Sequence, residues 1–170
     1  MASDPDRRPN AVPWPPIILA GLIVIALAAG PLLPPLPSDL ASAVWPLGVA
    51  VAGAGLALDL WAIATLYRHR TTVLPHRGAD RLVTSGPFAL SRNPIYLGNT
   101  LLLLGAAGIF ANLVFLPAAL LNLMLVDRLA IAREEAHLAS RFGDAWRDYA
   151  ARVPRWIGMR RRGGGNDRER

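Results

Sequence analysis

The chain has 170 residues, of which 53% are hydrophobic and 7% aromatic, and its mean hydropathy is +0.33. One domain is expected from this length, and so apolar a composition excludes an ordinary soluble protein and indicates a membrane protein. The formal net charge is +6, and all 18 basic residues are arginines. Because these arginines flank apolar blocks, they favour orientation in a membrane over a nucleic-acid partner. The absence of cysteine excludes disulfides and thiolate metal sites.

Four apolar runs predict an all-α, polytopic membrane helical bundle. The first two spans cover residues 17–33 and 44–66, and their glycines and prolines are of the kind that membrane helices tolerate. The third and fourth spans cover residues 94–111 and 113–126. Since only Asn112 separates them, the sequence predicts a tight helical hairpin at that point.

The second span has two features of its own. Its small residues would let a neighbouring helix approach closely, and the glycines among them are Gly48, Gly53 and Gly55. Its one charged residue is Asp59, and a carboxylate inside a membrane span is costly enough to suggest a functional role. The alternative is a structural hydrogen bond between Asp59 and the amide of Asn99 or Asn122.

Beyond the fourth span the chain becomes polar. Residues 127–150 are predicted to continue as an amphipathic helix on the cytoplasmic side, broken near Gly143. Residues 1–16 and 158–170 are charged and rich in proline or in arginine and glycine, so we expect two disordered tails. Residues 17–157 then form a single integral membrane domain.

The arginines also predict how the chain crosses the membrane. The loop at 67–93 and the segment after residue 127 are basic, whereas the other two connections are short and lack arginine. Basic segments stay on the cytoplasmic side, and four spans place both of them on the same face as the N-terminus. We therefore expect an integral protein of the bacterial inner membrane with its site on the cytoplasmic face.

The stretch at 82–99 changes from a polar loop into an apolar helix. Gly86-Pro87 predicts a tight turn. Asn93 is predicted to cap the following helix with its side chain, and Pro94 to occupy the first helical position. The N-terminus of this helix would favour a carboxylate or another anion.

Several charged or polar side chains are candidates for a site at this end of the bundle. Arg92 and Tyr96 flank the helix start, where a purely structural turn needs neither a guanidinium nor a phenol. Glu134 and Glu135 follow the fourth span and would suit a cationic ligand or ribose hydroxyls; the alternative is a solvated helix face. Arg128 is a candidate anion clamp because its planar guanidinium can bind a carboxylate bidentately, and the alternative is a guanidinium that reaches towards the membrane surface.

Other kinds of site have little support in the sequence. The histidines lack metal-ligand spacing, so no metal site is predicted, and their positions are His69, His76 and His137. His76 is the best candidate among them for another role, since it precedes the 82–99 stretch closely. The sequence contains neither a Rossmann glycine pattern nor a phosphate-binding loop.

Three blocks of the sequence carry a resemblance, with Thr71-Thr72-x-x-Pro75 ahead of them. The blocks are Leu82-Val83-x-Ser85-Gly86-Pro87-Phe88, then Arg92-Asn93-Pro94-x-Tyr96, then Glu134-Glu135 with Phe142-Gly143-x-x-Trp146-x-x-Tyr149 and Val153-Pro154-Arg155. In this order and spacing they resemble the membrane methyltransferases of the isoprenylcysteine carboxyl methyltransferase and phospholipid N-methyltransferase group. The resemblance covers about residues 55–157.

This resemblance implies an enzyme that takes its methyl group from S-adenosylmethionine without a Rossmann sheet. The cofactor-binding positions that it implies are Arg81, Leu82, Val83, Phe88, Asn93, Pro94, Tyr96 and Glu134. The catalytic candidates are Arg128, Glu135 and Arg92. The family often has histidine at the position of Asn93, and its substrate-orienting arginine falls on Ala130 here.

The acceptor expected from this reading is a lipidic or apolar small molecule, for example an isoprenylcysteine-type carboxylate that becomes O-methylated. A carboxylate is ionised at neutral pH and needs orientation more than a general base. Two alternatives remain open at this point. One is a nicotinamide-dependent membrane reductase on a similar scaffold, which would bind a different cofactor. The other is a non-catalytic membrane scaffold that depends on Asp59 and tolerates alanine at Tyr96 and Glu134.

Overall fold

The computed structural model describes residues 14–70 and 81–157, and these ranges contain helices and turns but no strand. Within them six α-helices follow in chain order: α1 (Trp14–Ala29), α2 (Ser38–Arg68), α3 (Pro94–Ile109), α4 (Phe115–Val126), α5 (Ala132–Phe142) and α6 (Asp144–Arg152). The predicted all-α architecture is confirmed. The tail at 158–170, most of the tail at 1–16, and His76 lie outside the described residues.

Three helical segments of the described ranges are long and apolar enough to cross a membrane, and they are Pro15–Leu32, Ser38–Arg68 and Phe115–Phe142. The apolar α3 has only 16 residues, or about 24 Å at 1.5 Å per residue, whereas a bilayer core is about 30 Å thick. The predicted membrane bundle is therefore confirmed, but it consists of three long helices and one short helix.

The first two helices begin several residues before the predicted membrane spans. α1 begins at Trp14, inside the predicted tail, and α2 begins at Ser38, inside the predicted connection before residue 44. Pro37 holds the N-cap position of α2, and Asp39 in the first turn is favourable beside the positive end of the helix dipole. The same proline and aspartate suggested a loop in the sequence, because prolines both end and begin helices.

α2 and α3 pack with their backbones in contact, and small residues make this possible. A Cβ added at Gly105 of α3 would lie 2.5 Å from the Ala52 nitrogen, and one at Gly48 of α2 would lie 2.7 Å from the Ile109 nitrogen. Of the predicted packing glycines, Gly48 and Gly55 are buried in this interface. Gly53 was a wrong prediction, since it is exposed and a Cβ there would meet nothing within 4 Å.

α1 packs against α3 and α4 and fixes which helix ends lie together. Asn112, in the turn between α3 and α4, donates its side-chain amide to the carbonyl of Ala26 at 2.8 Å. The other end of α1 contacts the segment Asp127–Ile131. The beginning of α1, the loop before α3 and the polar C-terminal segment therefore share one end of the bundle, in agreement with the predicted topology.

The fourth span and the amphipathic helix form one continuous helix, Phe115–Phe142, as expected. Between its two α-helical parts lies a π-helical turn, Asp127–Ile131, which the sequence did not predict. A π-turn changes the faces that the following residues present and often occurs near functional sites. The helix ends at Gly143, whose φ of +53° is easily adopted only by glycine, and α6 follows, so the predicted break is confirmed.

Candidate functional site

The loop before α3 is tied to the C-terminal segment by hydrogen bonds. Asn93 holds the N-cap position, but its side chain does not cap the helix, and this part of the prediction was wrong. Its Nδ2 donates instead to the carbonyl of Arg155 at 3.1 Å, and the Ser91 hydroxyl donates to the same carbonyl at 3.1 Å. Pro94 does occupy the first helical position. The first turn of α3 is therefore left without a side-chain cap.

Two predicted cofactor-binding residues, Tyr96 in the first turn of α3 and Glu134 in the first turn of α5, are in contact. The Tyr96 hydroxyl donates to Glu134 Oε2 at 3.0 Å. Tyr96 is buried and Glu134 is half-buried, so the pair is mostly shielded from water. Hydrogen bonds are stronger where solvent is excluded, and this contact therefore fixes the carboxyl group of Glu134 beside the start of α3.

Glu135, next to that pair, is the centre of an ion cluster. Arg92 Nη1 lies 3.0 Å from Glu135 Oε1, and the side chains are 15% and 17% exposed respectively. Arg155 donates from Nε to Oε1 at 3.2 Å and from Nη2 to Oε2 at 2.5 Å. Its Nη1 donates to Asp127 Oδ1 at 3.0 Å. The hydrogen bond to Glu135 raises the pKa of Arg155 above its ordinary value, so this guanidinium stays charged.

Arg92 also joins this cluster to α6. Its guanidinium carbon lies 5.6 Å from the ring centroid of Trp146, within the range of a cation–π interaction. Its backbone N–H donates to the carbonyl of Pro154 at 3.0 Å. Its buried Nε has no hydrogen-bond partner among the described residues. The predicted catalytic residues Arg92 and Glu135 are thus brought together, although their catalytic roles stay predictions.

α6 covers the loop that carries the other predicted cofactor residues. The hydroxyl of Tyr149 donates to the carbonyl of Phe88 at 2.7 Å, and burial raises the pKa of this phenol, so it stays protonated. Leu82 packs against the cluster that Tyr149 forms with its neighbours, and Val83 is buried nearby. Arg81 is exposed, so the structure does not place its side chain with this group.

The predicted catalytic residue Arg128 stands apart from the ion cluster, and other residues of the site were missed. Arg128 is exposed and forms no ion pair with the cluster in the described part of the chain. Its neighbour Asp127 and the distant Arg155 take part in its place. Asp127 is conspicuous only as the charge that ends the apolar run, and Arg155 belongs to the third sequence block. Ser91 directly precedes Arg92-Asn93-Pro94 in the second motif, but no role was predicted for its hydroxyl.

Asp59 lies in the α2–α3 interface, away from the cluster. Its Oδ1 is buried against Gly98 and has no hydrogen-bond partner among the residues described. The alternative of a structural bond from Asp59 to Asn99 or Asn122 is not seen among the described residues. Asn122 donates instead to the hydroxyl of Thr100 at 3.0 Å. The reason is geometric, because Gly98 faces α2 whereas Thr100 faces α4.

The histidines do not form a metal site in the described ranges, where no three His, Cys, Asp or Glu side chains are grouped closely enough to bind a metal ion. His69 Nε2 lies 3.0 Å from Ser85 Oγ, at the exposed start of the loop.

A cleft of about 480 Å³ opens beside the ion cluster. It is lined by Leu123, Met124, Asp127, Arg155 and Trp156, and we refer to it as the Arg155 cleft.

The chain was compared with known families and proteins. The sequence model of the phospholipid methyltransferase family matches residues 44–145, which is more than half of the chain. This range includes α3, the π-turn and both glutamates of the site. No solved structure matches the chain.

Three curated relatives cover parts of the chain. The cobalt-zinc-cadmium resistance protein CzcN of Cupriavidus metallidurans is 34% identical over 108 residues, 64% of this chain and 44% of that protein. The nickel-cobalt-cadmium resistance protein NccN of Alcaligenes xylosoxydans xylosoxydans is 35% identical over 78 residues, 46% of this chain and 36% of that protein. Protein-S-isoprenylcysteine O-methyltransferase of Schizosaccharomyces pombe is 37% identical over 88 residues, 50% of this chain and 36% of that protein. The chain thus spans less than half the length of these three relatives.

Proposed function

The chain belongs to the phospholipid methyltransferase family, and on that premise we propose that it transfers a methyl group from S-adenosylmethionine to a lipidic or apolar acceptor. An isoprenylcysteine-type carboxylate, methylated on oxygen, is the acceptor that best agrees with the fungal relative. The apolar helices support an integral membrane protein. The arginines at the site end of the bundle favour the cytoplasmic face of a bacterial inner membrane.

The observation that carries this proposal is the contact between Tyr96 and Glu134 at the start of α3. A half-buried carboxylate suits a donor that carries an ammonium group, a sulfonium and ribose hydroxyls. The uncapped first turn of α3 supplies N–H groups and a positive dipole end for the carboxylate of the donor. The residues present therefore fit the donor that the family implies.

The reaction requires mainly that the protein hold the methyl donor and the acceptor in position. When bound, S-adenosylmethionine supplies an activated methyl group, and the acceptor oxygen or nitrogen forms the new bond as sulfur leaves with the electrons of the C–S bond. Such an in-line displacement is accelerated by holding both partners in line. Glu134 and Tyr96 would hold the donor, while the cluster around Glu135 keeps the loop and the π-turn in one arrangement. The α6 side chains over Phe88 would exclude water from the donor.

The proposal is tested by calorimetric titration of the detergent-purified full chain with S-adenosylmethionine and with its demethylated product. We expect saturable binding that weakens about tenfold or more in Glu134→Ala and several-fold in Tyr96→Phe, because a hydrogen bond to a charged group contributes about 1.5–3 kcal/mol. Asp148→Asn is the matched control, since Asp148 is an exposed carboxylate on α6. It should bind like the wild type.

Two results would contradict the proposal. One is folded protein, monodisperse on gel filtration, that binds neither compound with or without added lipid. The other is wild-type affinity in both site variants. Titration with a reduced nicotinamide cofactor on the same samples separates the methyltransferase from the reductase alternative.

A further inference from the structure

The Arg155 cleft combines an apolar half with a charged half. Leu123, Met124 and Trp156 form the apolar part, and Met124 is 45% exposed on the outer face of α4. Asp127 and Arg155 form the charged part. Asp127 follows the two apolar residues by three or four positions, about 5 Å further along the helix. The cleft therefore changes from apolar to charged over about one helical turn, beside the point where the apolar run of the fourth span ends.

We propose that the Arg155 cleft binds a membrane amphiphile by its anionic group, that Arg155 is the anchor for this group, and that Asp127 competes with it. The apolar half is continuous with exposed residues of α4 such as Leu120 and Leu121, so a lipid chain could enter sideways from the bilayer. Naming the amphiphile as the methyl acceptor rests on the proposed function, whereas the binding site itself does not.

The hydrogen bonds of Arg155 show what it can still bind. A guanidinium has five N–H donors, and bonds to Glu135 and Asp127 use three of them. Two donors therefore remain among the described contacts. The Arg155 side chain is 36% exposed and lines the cleft, whereas the Arg92 side chain is 15% exposed and does not. The anion is thus expected at Arg155.

Asp127 determines in which direction a substitution should change the binding of an anion. One Asp127 oxygen accepts from Arg155 Nη1 at 3.0 Å, and the side chain is 37% exposed. A carboxylate or phosphate arriving at the guanidinium would meet this like charge and compete for the same donors. Removing the charge of Asp127 should therefore tighten binding of an anionic amphiphile, while removing the charge of Arg155 should abolish the preference for it. If Asp127 and Arg155 formed only a structural ion pair, removing either charge would change the binding of the anionic amphiphile in the same direction.

The experiment uses Trp156 as the reporter, because it lines the cleft beside Arg155. The full chain is placed in phosphatidylcholine nanodiscs at mildly alkaline pH. Doxyl-stearate, labelled close to its carboxylate, is added, and its methyl ester serves as the uncharged probe with the same chain. Quenching of tryptophan emission is measured against the mole fraction of each probe, and a Trp156→Phe variant gives the contribution of the other tryptophans.

In the wild type we expect half-maximal quenching of the Trp156 component at a several-fold lower mole fraction of the acid than of the ester. Asp127→Asn should lower that mole fraction for the acid by a further several-fold. Arg155→Gln should make acid and ester equal, Arg155→Lys should retain part of the preference, and the exposed control Arg152→Gln should behave like the wild type.

Equal quenching by acid and ester in the wild type would overturn the proposal. So would weaker binding of the acid to Asp127→Asn, and this arm remains decisive even where Arg155→Gln fails to fold. Failure of the proposed function has a different signature. It would leave these lipid preferences intact while calorimetry shows no binding of S-adenosylmethionine.

Discussion

Replacing Glu135 by glutamine tests whether the ion cluster holds the site together. The change keeps the size of the side chain and removes its charge. Two guanidinium groups then lose their shared partner, since Arg92 and Arg155 both bind the Glu135 carboxylate in the native protein. Asp127 still pairs with Arg155, but Arg92 is left with no carboxylate among the described residues.

The burial of each partner determines how much the free energy of unfolding should fall. Breaking a buried ion pair by removing one partner costs about 3–5 kcal/mol. Arg92 and Glu135 are close to that case at 15% and 17% exposure, whereas Arg155 at 36% is partly solvated and contributes less. We therefore expect Glu135→Gln to lower the free energy of unfolding by about 2–4 kcal/mol. The exposed pair of Asp144 with Arg147, at 89% and 69% exposure, should contribute about 0–1 kcal/mol.

The assay is denaturant unfolding of the full chain in mild detergent, followed by circular dichroism, with Glu135→Gln and Asp144→Asn compared under one condition. Raising the salt concentration should change the stability of the wild type little, because a buried cluster is weakly screened. If the two variants lose the same free energy of unfolding, or if Glu135→Gln loses less than about 1 kcal/mol, the reasoning from burial is refuted.

Two further predictions concern packing and the cover of the site. Gly105→Ala should destabilise the helix pair by about 1–3 kcal/mol, because the new methyl group would overlap the backbone of α2; Gly53→Ala, where space is open, should be neutral or slightly stabilising, and both are read as thermal-unfolding shifts in detergent. Tyr149→Phe leaves the part-buried carbonyl of Phe88 without its donor, so we expect the free energy of unfolding to fall by about 0.5–1.5 kcal/mol and hydrogen exchange to become faster in the loop before α3. The exposed Tyr67→Phe should change neither quantity, and equal exchange in the two tyrosine variants would contradict the assigned cover.

The membrane architecture could be predicted from the sequence because it depends on local properties. Length and the absence of charge identify a span, and a glycine at position 143 identifies a break. Helix starts were less predictable, since Pro37 and Asp39 are compatible with a loop as well as with a helix start. The π-turn at Asp127–Ile131 has no sequence signature that we could use, because it adds one residue without changing composition.

The site was predicted in part for the same reason. Tyr96 and Glu134 were found through motifs, and the structure brings them into contact. The partner of Glu135 could not be found locally, because Arg155 lies 20 residues away beyond a helix break. The side-chain amide of Asn93 could cap its own helix or bind a distant carbonyl, and only tertiary structure decides between these bonds.

The short α3 explains why these polar groups gather where they do. Near the far end of the bundle Gly48 of α2 contacts the Ile109 end of α3. From that level α2 continues for 20 residues to Arg68, about 30 Å, whereas α3 runs back only 15 residues to Pro94, about 22 Å. The start of α3 is therefore recessed by about 8 Å below the end of α2. This recess places the uncapped start of α3, Tyr96 and Glu134 below the end of α2, and both α6 and the loop before α3 lie beside them. Under the proposed function, a water-soluble donor would reach this recess from the aqueous side and an amphiphile from the bilayer, so neither would have to cross the membrane.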